Sequence, residues 1–188
     1  MTRPSWFGLF CLGEGGLVLV AAGLGWVFGL DPWLTWKWDA RAVWLGVIGI
    51  LPPLGLLVWV MHSGWPPMVD LRERLEGLLR ETFANWRLWQ FAVVSLLAGL
   101  GEESLFRGVI EAGLAGGLGP AGGLVAASVL FGLAHPISRL YVVLAGAMGF
   151  WFGALWWWSG SLVTPVLAHA LYDFIALAWS ARRVTKTG

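Results

Sequence analysis

Six apolar runs, at about residues 6–30, 43–62, 89–113, 120–135, 138–158 and 161–181, set the terms on which this chain can fold. Most approach the ~20 residues that a helix needs to cross ~30 Å of hydrocarbon. The composition agrees, with 58% hydrophobic residues, 12% charged residues and 15 Trp in a chain of 188. A mean hydropathy of +0.74 lies well outside the soluble globular range. The expectation is an all-α, polytopic membrane helical bundle with about six transmembrane helices. It forms one domain over residues 1–188, with N-terminal helices in 1–88 and a core in 89–181.

Two classes of partner and chemistry drop out early. The net charge of +1 provides no basic face to track a phosphate backbone, so nucleic acid is not expected. Cys11 is the single cysteine, which excludes an internal disulfide and a cysteine-based metal site. The first run could be read as a signal peptide, but Glu14 interrupts it and no small-residue cleavage pattern follows. It reads as an uncleaved first helix.

Between the second and third runs, Leu71, Leu75, Leu78, Leu79, Phe83 and Trp86 recur at helical spacing with charges on the other face. This segment predicts an amphipathic helix in the membrane interface, opened by Pro66-Pro67. With the N-terminus inside, Arg3, Arg72, Arg74, Arg80, Arg87, Arg139, Arg182, Arg183 and Lys186 fall on the cytoplasmic side, and only Lys37 and Arg41 fall outside. The excess predicts a multi-pass protein of a bacterial cytoplasmic membrane with both termini cytoplasmic. The Trp-rich turns DPWLTWKW and WWWSG, including Trp156 to Trp158, would then lie at the outer interface. Ala145, Gly149 and Gly153 form a small-residue stripe suited to close helix packing.

Against this apolar background, three segments carry ionisable groups inside spans three, four and six. They are GEESLFRG with Glu102, Glu103 and Arg107, FGLAHP with Phe131 and His135, and HALYD with His169 and Asp173. A charged side chain near the bilayer centre costs about 2.5–3.5 kcal/mol, so such groups are expected to face one another or a wet cavity. At ~1.5 Å rise per residue, Glu102 lies about 16 Å below the outer end of its span. By the same rise His135 lies about 22 Å down, His169 about 12 Å and Asp173 about 18 Å. The alternating helix directions therefore bring the polar groups into one layer.

Spacing inside each segment adds chemistry. Glu103 and Arg107 stand i,i+4 in the favourable order for an ion pair, while Glu102 projects about 100° away as the unpaired carboxylate. The Glu103–Arg107 pair serves packing and catalysis equally well. His169 and Asp173 share a helix face, and Pro136 predicts a helix end just after His135. A carboxylate and an imidazole directed at one water form a general-base pair, and a second imidazole can support a developing oxyanion. That combination describes hydrolysis of an acyl or peptide bond without a Ser or Cys nucleophile. Two His and a carboxylate also make a zinc ligand set, and the absence of HExxH leaves the metal reading open. A transporter or proton relay would use buried Glu and His as well, but paired repeats with broken helices are not seen in the sequence. Glu14 and His62 read as interfacial or packing residues, and Phe131 as a wall.

The motifs resemble those of the CPBP intramembrane endopeptidases, the CaaX protease and bacteriocin-processing family related to type II CaaX prenyl proteases. The family pattern EExxxR, FxxxH, HxxxN or HxxxD is met in order by Glu102-Glu103-Ser-Leu-Phe-Arg107, Phe131-Gly-Leu-Ala-His135 and His169-Ala-Leu-Tyr-Asp173, over roughly residues 89–181. The resemblance implies an endopeptidase acting on a membrane-associated protein or peptide, prenylated, leader-bearing or C-terminally anchored, within the lipid bilayer. It implies that Glu102 and His135 activate the attacking water, that Glu103 and Arg107 support the site, and that His169 with Asp173 stabilises the oxyanion or orients the substrate. No cofactor is required in the glutamate-type mechanism, and a divalent metal such as zinc is the alternative. Asp173 stands where Asn is usual, and an ionised carboxylate cannot donate to an oxyanion. A non-catalytic member of the same fold, serving bacteriocin self-immunity or as a scaffold, is the competing reading.

Overall fold

A computed structural model of the chain describes residues 5–83 and 85–186, without the side chains of 184–186. Arg3 and the side chain of Lys186, both counted above for orientation, therefore lie outside what is described. Eight α-helices follow one another: α1 (Trp6–Phe28), α2 (Ala40–Ile48), α3 (Leu51–His62), α4 (Pro66–Phe83), α5 (Leu88–Leu105), α6 (Ala112–Leu133), α7 (Arg139–Ser159) and α8 (Val163–Lys186). A π-helical turn, Phe106–Glu111, joins α5 to α6. Among the described residues there is no strand, as the all-α expectation requires.

Local chemistry explains where these helices start and stop. Ser5, Asp39 and Ser138 cap α1, α2 and α7 by accepting from the backbone N–H groups of Gly8, Ala42 and Tyr141. Gly29 and Gly160 end α1 and α7 in the left-handed conformation. Pro52 and Pro53 open α3, so the second span is built from two stacked helices, α2 and α3.

Five stretches are long and apolar enough to cross a bilayer: Trp6–Phe28, Ala40–His62, Leu88–Leu133, Arg139–Ser159 and Val163–Arg183. The third, at 46 residues, would run for about 69 Å if straight, more than twice the hydrocarbon thickness. It does not run straight. Gly119 has φ 70° and ψ 165°, a conformation closed to other residues, and Pro120 starts a new helical direction. Beyond it the chain folds back, so that Gly123 packs on the backbone of Glu111 and Ala115, and the rings of Phe106 and Phe131 stand 4.9 Å apart. Five stretches therefore qualify as crossings by length and composition, and the third folds back on itself at Gly119, where the sequence suggested six separate crossings. Leu12, Leu19, Trp26, Leu118, Leu133 and Val143 are exposed on the outer surface, as an integral multi-pass membrane protein requires.

Helix α5 lies between α1 and α8, and α6 packs along α7. On α7, Gly149 admits the ring of Phe131 and Gly153 admits Leu124 and the Glu111 carboxylate, so the small-residue stripe is a packing seam. The amphipathic helix α4 carries its charge outward, where Asp70 and Arg74 pair at 2.9 Å. The Arg74 guanidinium holds the Asp70 carboxyl below its ordinary pKa. Its apolar face is turned inward, with Met68 and Leu71 buried beside Val60 and Leu140. That face covers protein, where the sequence suggested lipid.

The loop between α1 and α2 closes the opposite end of the bundle. Trp33 Nε1 donates to Ser104 Oγ (2.9 Å), Trp156 Nε1 donates to Thr35 Oγ1 (2.9 Å), and Ser161 Oγ donates to the Lys37 carbonyl (2.7 Å). Two members of the expected Trp belt are therefore tied into the fold by their polar ends.

Candidate active site

The three polar segments meet. Helix α5 supplies Glu102 and Glu103, the π-helical turn supplies Arg107, the end of α6 supplies His135, and α8 supplies His169 and Asp173. The layer inferred from helix rise is therefore a real juxtaposition, with Glu102 Oε2 3.8 Å from His135 Nε2 and Glu103 Oε1 2.9 Å from His169 Nδ1.

One part of the cluster is enclosed by protein and ion-paired, with Arg107 Nη2 left without a hydrogen-bond partner among the described residues. Arg107 Nε donates to Glu103 Oε2 at 2.8 Å, and both side chains are 0% exposed. Glu103 is thus shared between Arg107 and His169, a larger role than the ion pair expected from sequence. His169 Nε2 in turn faces Asp173 Oδ2 at 3.4 Å, and its ring stacks on Phe152 with centroids 4.8 Å apart. Asp173 is thus placed against His169, the contact that an orienting role needs.

Glu111 belongs to this cluster and was not singled out from the sequence. Its Oε2 lies 3.3 Å from Arg107 Nη1, so the guanidinium sits between carboxylates one turn before and one turn after it. The i,i+4 spacing of Glu103, Arg107 and Glu111 was the readable signal.

The other part is open. Phe131 fixes His135 twice, by accepting from Nδ1 through its carbonyl at 2.8 Å and by stacking on the ring at 4.8 Å. A carbonyl can only accept, so Nδ1 carries hydrogen and Nε2 of the neutral ring presents a lone pair. Phe131 is therefore a support for the imidazole as well as a wall. At 3.8 Å, Nε2 and the Glu102 carboxylate are too far apart to hydrogen-bond directly, and Glu102 Oε2 has no protein hydrogen-bond partner.

Both groups line a cavity of about 270 Å³. Its walls are apolar, from Leu56 and Val60 on α3, Leu71, Leu75 and Leu79 on α4, Leu144 and Met148 on α7, and Leu177 on α8. Arg72, Glu76 and Arg183 also line it. This is a concave, mostly apolar chamber with a few convergent polar groups at one end, the ordinary form of a ligand site. Among the described residues, no three His, Cys, Asp or Glu side chains are arranged to hold a metal ion.

Glu14 is also displaced from its sequence reading. It lies within hydrogen-bonding reach of Glu102 and near Asp173 and His169, so it has partners that its sequence reading did not give it. His62 is at the exposed end of α3, with Nδ1 2.8 Å from the Val58 carbonyl, as an interfacial residue would be.

Residues 84–175 match the family model described as type II CAAX prenyl endopeptidase Rce1-like. The chain is also similar to an uncharacterized protein, YpbD, of Bacillus subtilis (strain 168), at 26% identity over 144 residues, 73% of this chain and 68% of that one. No solved structure matches. The likeness read from the three motifs is borne out over residues 84–175, which are similar to the Rce1-like family.

Proposed function

We propose that this Rce1-like membrane protein is an intramembrane endopeptidase in which Glu102 and His135 activate a water to hydrolyse a peptide bond of a membrane-associated substrate. The observation that carries this reading is the 3.8 Å gap between Glu102 Oε2 and a His135 Nε2 whose other nitrogen is already bonded. A water in that gap donates one hydrogen to each acceptor and turns its oxygen lone pair to the cavity. Glu102 takes the proton as the water oxygen attacks the scissile carbonyl carbon. The C–N bond then breaks, and Glu102 returns the proton to the departing amine. His169, with Nδ1 held by Glu103 and Nε2 facing Asp173, lies beside the reacting carbonyl and supports its developing negative charge as an imidazolium, through its charge and not through a free N–H.

The donor set does not suit a zinc centre. His169 directs Nδ1 to Glu103 and Nε2 to Asp173, which leaves Glu102 and His135 without a second imidazole directed at them. A three-ligand hydrolytic site is therefore not assembled, and every step above belongs to the chain's own residues.

The cavity supports a substrate entering from the side of α4 and α8, because the loop carrying Trp33 and Thr35 is bonded over the opposite end. With both termini cytoplasmic, that entry faces the cytoplasm. The apolar walls fit a lipidated or otherwise apolar segment beside the scissile bond.

The test is proteolysis of a membrane-tethered substrate by purified protein in bilayers. Glu102→Ala, His135→Ala and His169→Ala are each expected to abolish cleavage while folding normally, and chelators are expected to leave the wild type active. Three folded variants with full activity would overturn the assignment.

A further inference from the structure

Helix α1 lies outside the segment that matches the family model, yet it places a carboxyl in the site. α1 crosses α5 so closely that a Cβ at Gly101 would collide with the Glu14 carbonyl and touch Leu17. Only glycine permits this approach. The crossing point is one residue from Glu102, and the Glu14 side chain consequently reaches the Glu102 carboxyl.

The pairing is unusual in its polarity. Oε2 of Glu14 and Oε2 of Glu102 are both buried without a hydrogen-bond donor from the rest of the protein. Two carboxylates at hydrogen-bonding distance in an apolar setting cannot both be ionised, and a single shared proton joins the two side chains. His169 and Asp173 also act on Glu14, while Arg107 is already bonded to Glu103 and Glu111.

We propose that Glu14 is a positioning residue of the active site, whose protonated carboxyl donates to Glu102 and fixes Glu102 Oε2 toward the water at His135. The inference rests on the endopeptidase reading. It accounts for a carboxyl in an otherwise apolar helix, where insertion alone would disfavour it. Glu14 itself does not touch the reacting atoms.

The experiment compares full-length wild type, Glu14→Leu, Glu14→Gln and Glu102→Ala in proteoliposomes with the membrane-tethered substrate. Leu removes the donor and suits a membrane helix, whereas Gln keeps an N–H donor in nearly the same shape. Glu14→Leu is expected to lower kcat by about tenfold or more with KM unchanged, and Glu14→Gln to recover most of that loss. Wild-type kcat in Glu14→Leu would overturn the proposal, as would equal losses in the Leu and Gln variants. Glu102→Ala separates the two readings: if it stays active the endopeptidase mechanism fails, and if it alone is inactive only the role of Glu14 fails. Infrared spectroscopy gives a readout independent of turnover. The protonated-carboxyl C=O absorption should weaken in both Glu14→Gln and Glu102→Gln, and no change in either variant would also overturn the proposal.

Discussion

Two regions of one polar cluster, a few ångströms apart, are built on opposite principles. Around Arg107 the carboxylates of Glu103 and Glu111 and the ring of His169 engage one another in a water-free setting, with Arg107 and Glu103 0% exposed. Around Glu102 the gap to His135 Nε2 is 3.8 Å, and 28% of the His135 side chain is exposed to a cavity. The first region is closed in by protein and held by ion pairs, although Arg107 Nη2 and Glu111 Oε1 have no hydrogen-bond partner among the described residues, whereas the second opens on the cavity. Buried networks of the first kind fix geometry, and unmatched groups facing a cavity are where chemistry can happen. The proposed mechanism divides its work accordingly between residues that are adjacent in sequence, Glu103 in the frame and Glu102 in the reaction.

The comparison can be broken from either side. The largest effect is expected for Arg107→Met, which strands two buried carboxylates and should destabilise the fold by about 3–5 kcal/mol. A thermal melt in detergent reads it, and an unchanged melting temperature would mean the cluster is not the frame. Next comes His135→Ala, which leaves the frame untouched and should cut kcat by about 10²–10⁴-fold with the melting temperature preserved. Asp173→Asn should have a smaller effect, about 1 kcal/mol or roughly fivefold in rate, because the amide can still orient His169. Steady-state kinetics distinguishes this from the larger loss expected of Asp173→Ala. The smallest effect is expected from Trp33→Phe, far from the open pair, which removes one hydrogen bond to Ser104 and should lower stability by about 1 kcal/mol without altering kcat.

Much of the site was legible because its parts are local. The i,i+4 spacings of Glu103 with Arg107 and of His169 with Asp173 are properties of single helices, and helix rise alone placed both segments in one layer. Crossings were legible for the same reason, since length and hydropathy are local quantities. What escaped depends on how helices pack. Glu14 looked like an isolated polar residue because its partner, Glu102, is 88 positions away and is reached only through the α1–α5 crossing at Gly101. The spacing of Glu111 was visible, but its sealing against Gly153 of α7 was not. Likewise the periodicity of α4 defined an apolar face, while the choice between lipid and the cavity wall as its covering required the tertiary fold.

The division of labour is tested most directly by exchanging one carboxyl for an amide at each of the two adjacent positions. Glu102→Gln and Glu103→Gln would be measured side by side for kcat and for melting temperature in the same bilayer nanodiscs. The account predicts that Glu102→Gln loses at least about a hundredfold in kcat while melting like the wild type, and that Glu103→Gln melts at clearly lower temperature. A Glu102→Gln protein that cleaves at the wild-type rate, or that is destabilised as much as Glu103→Gln, would contradict it.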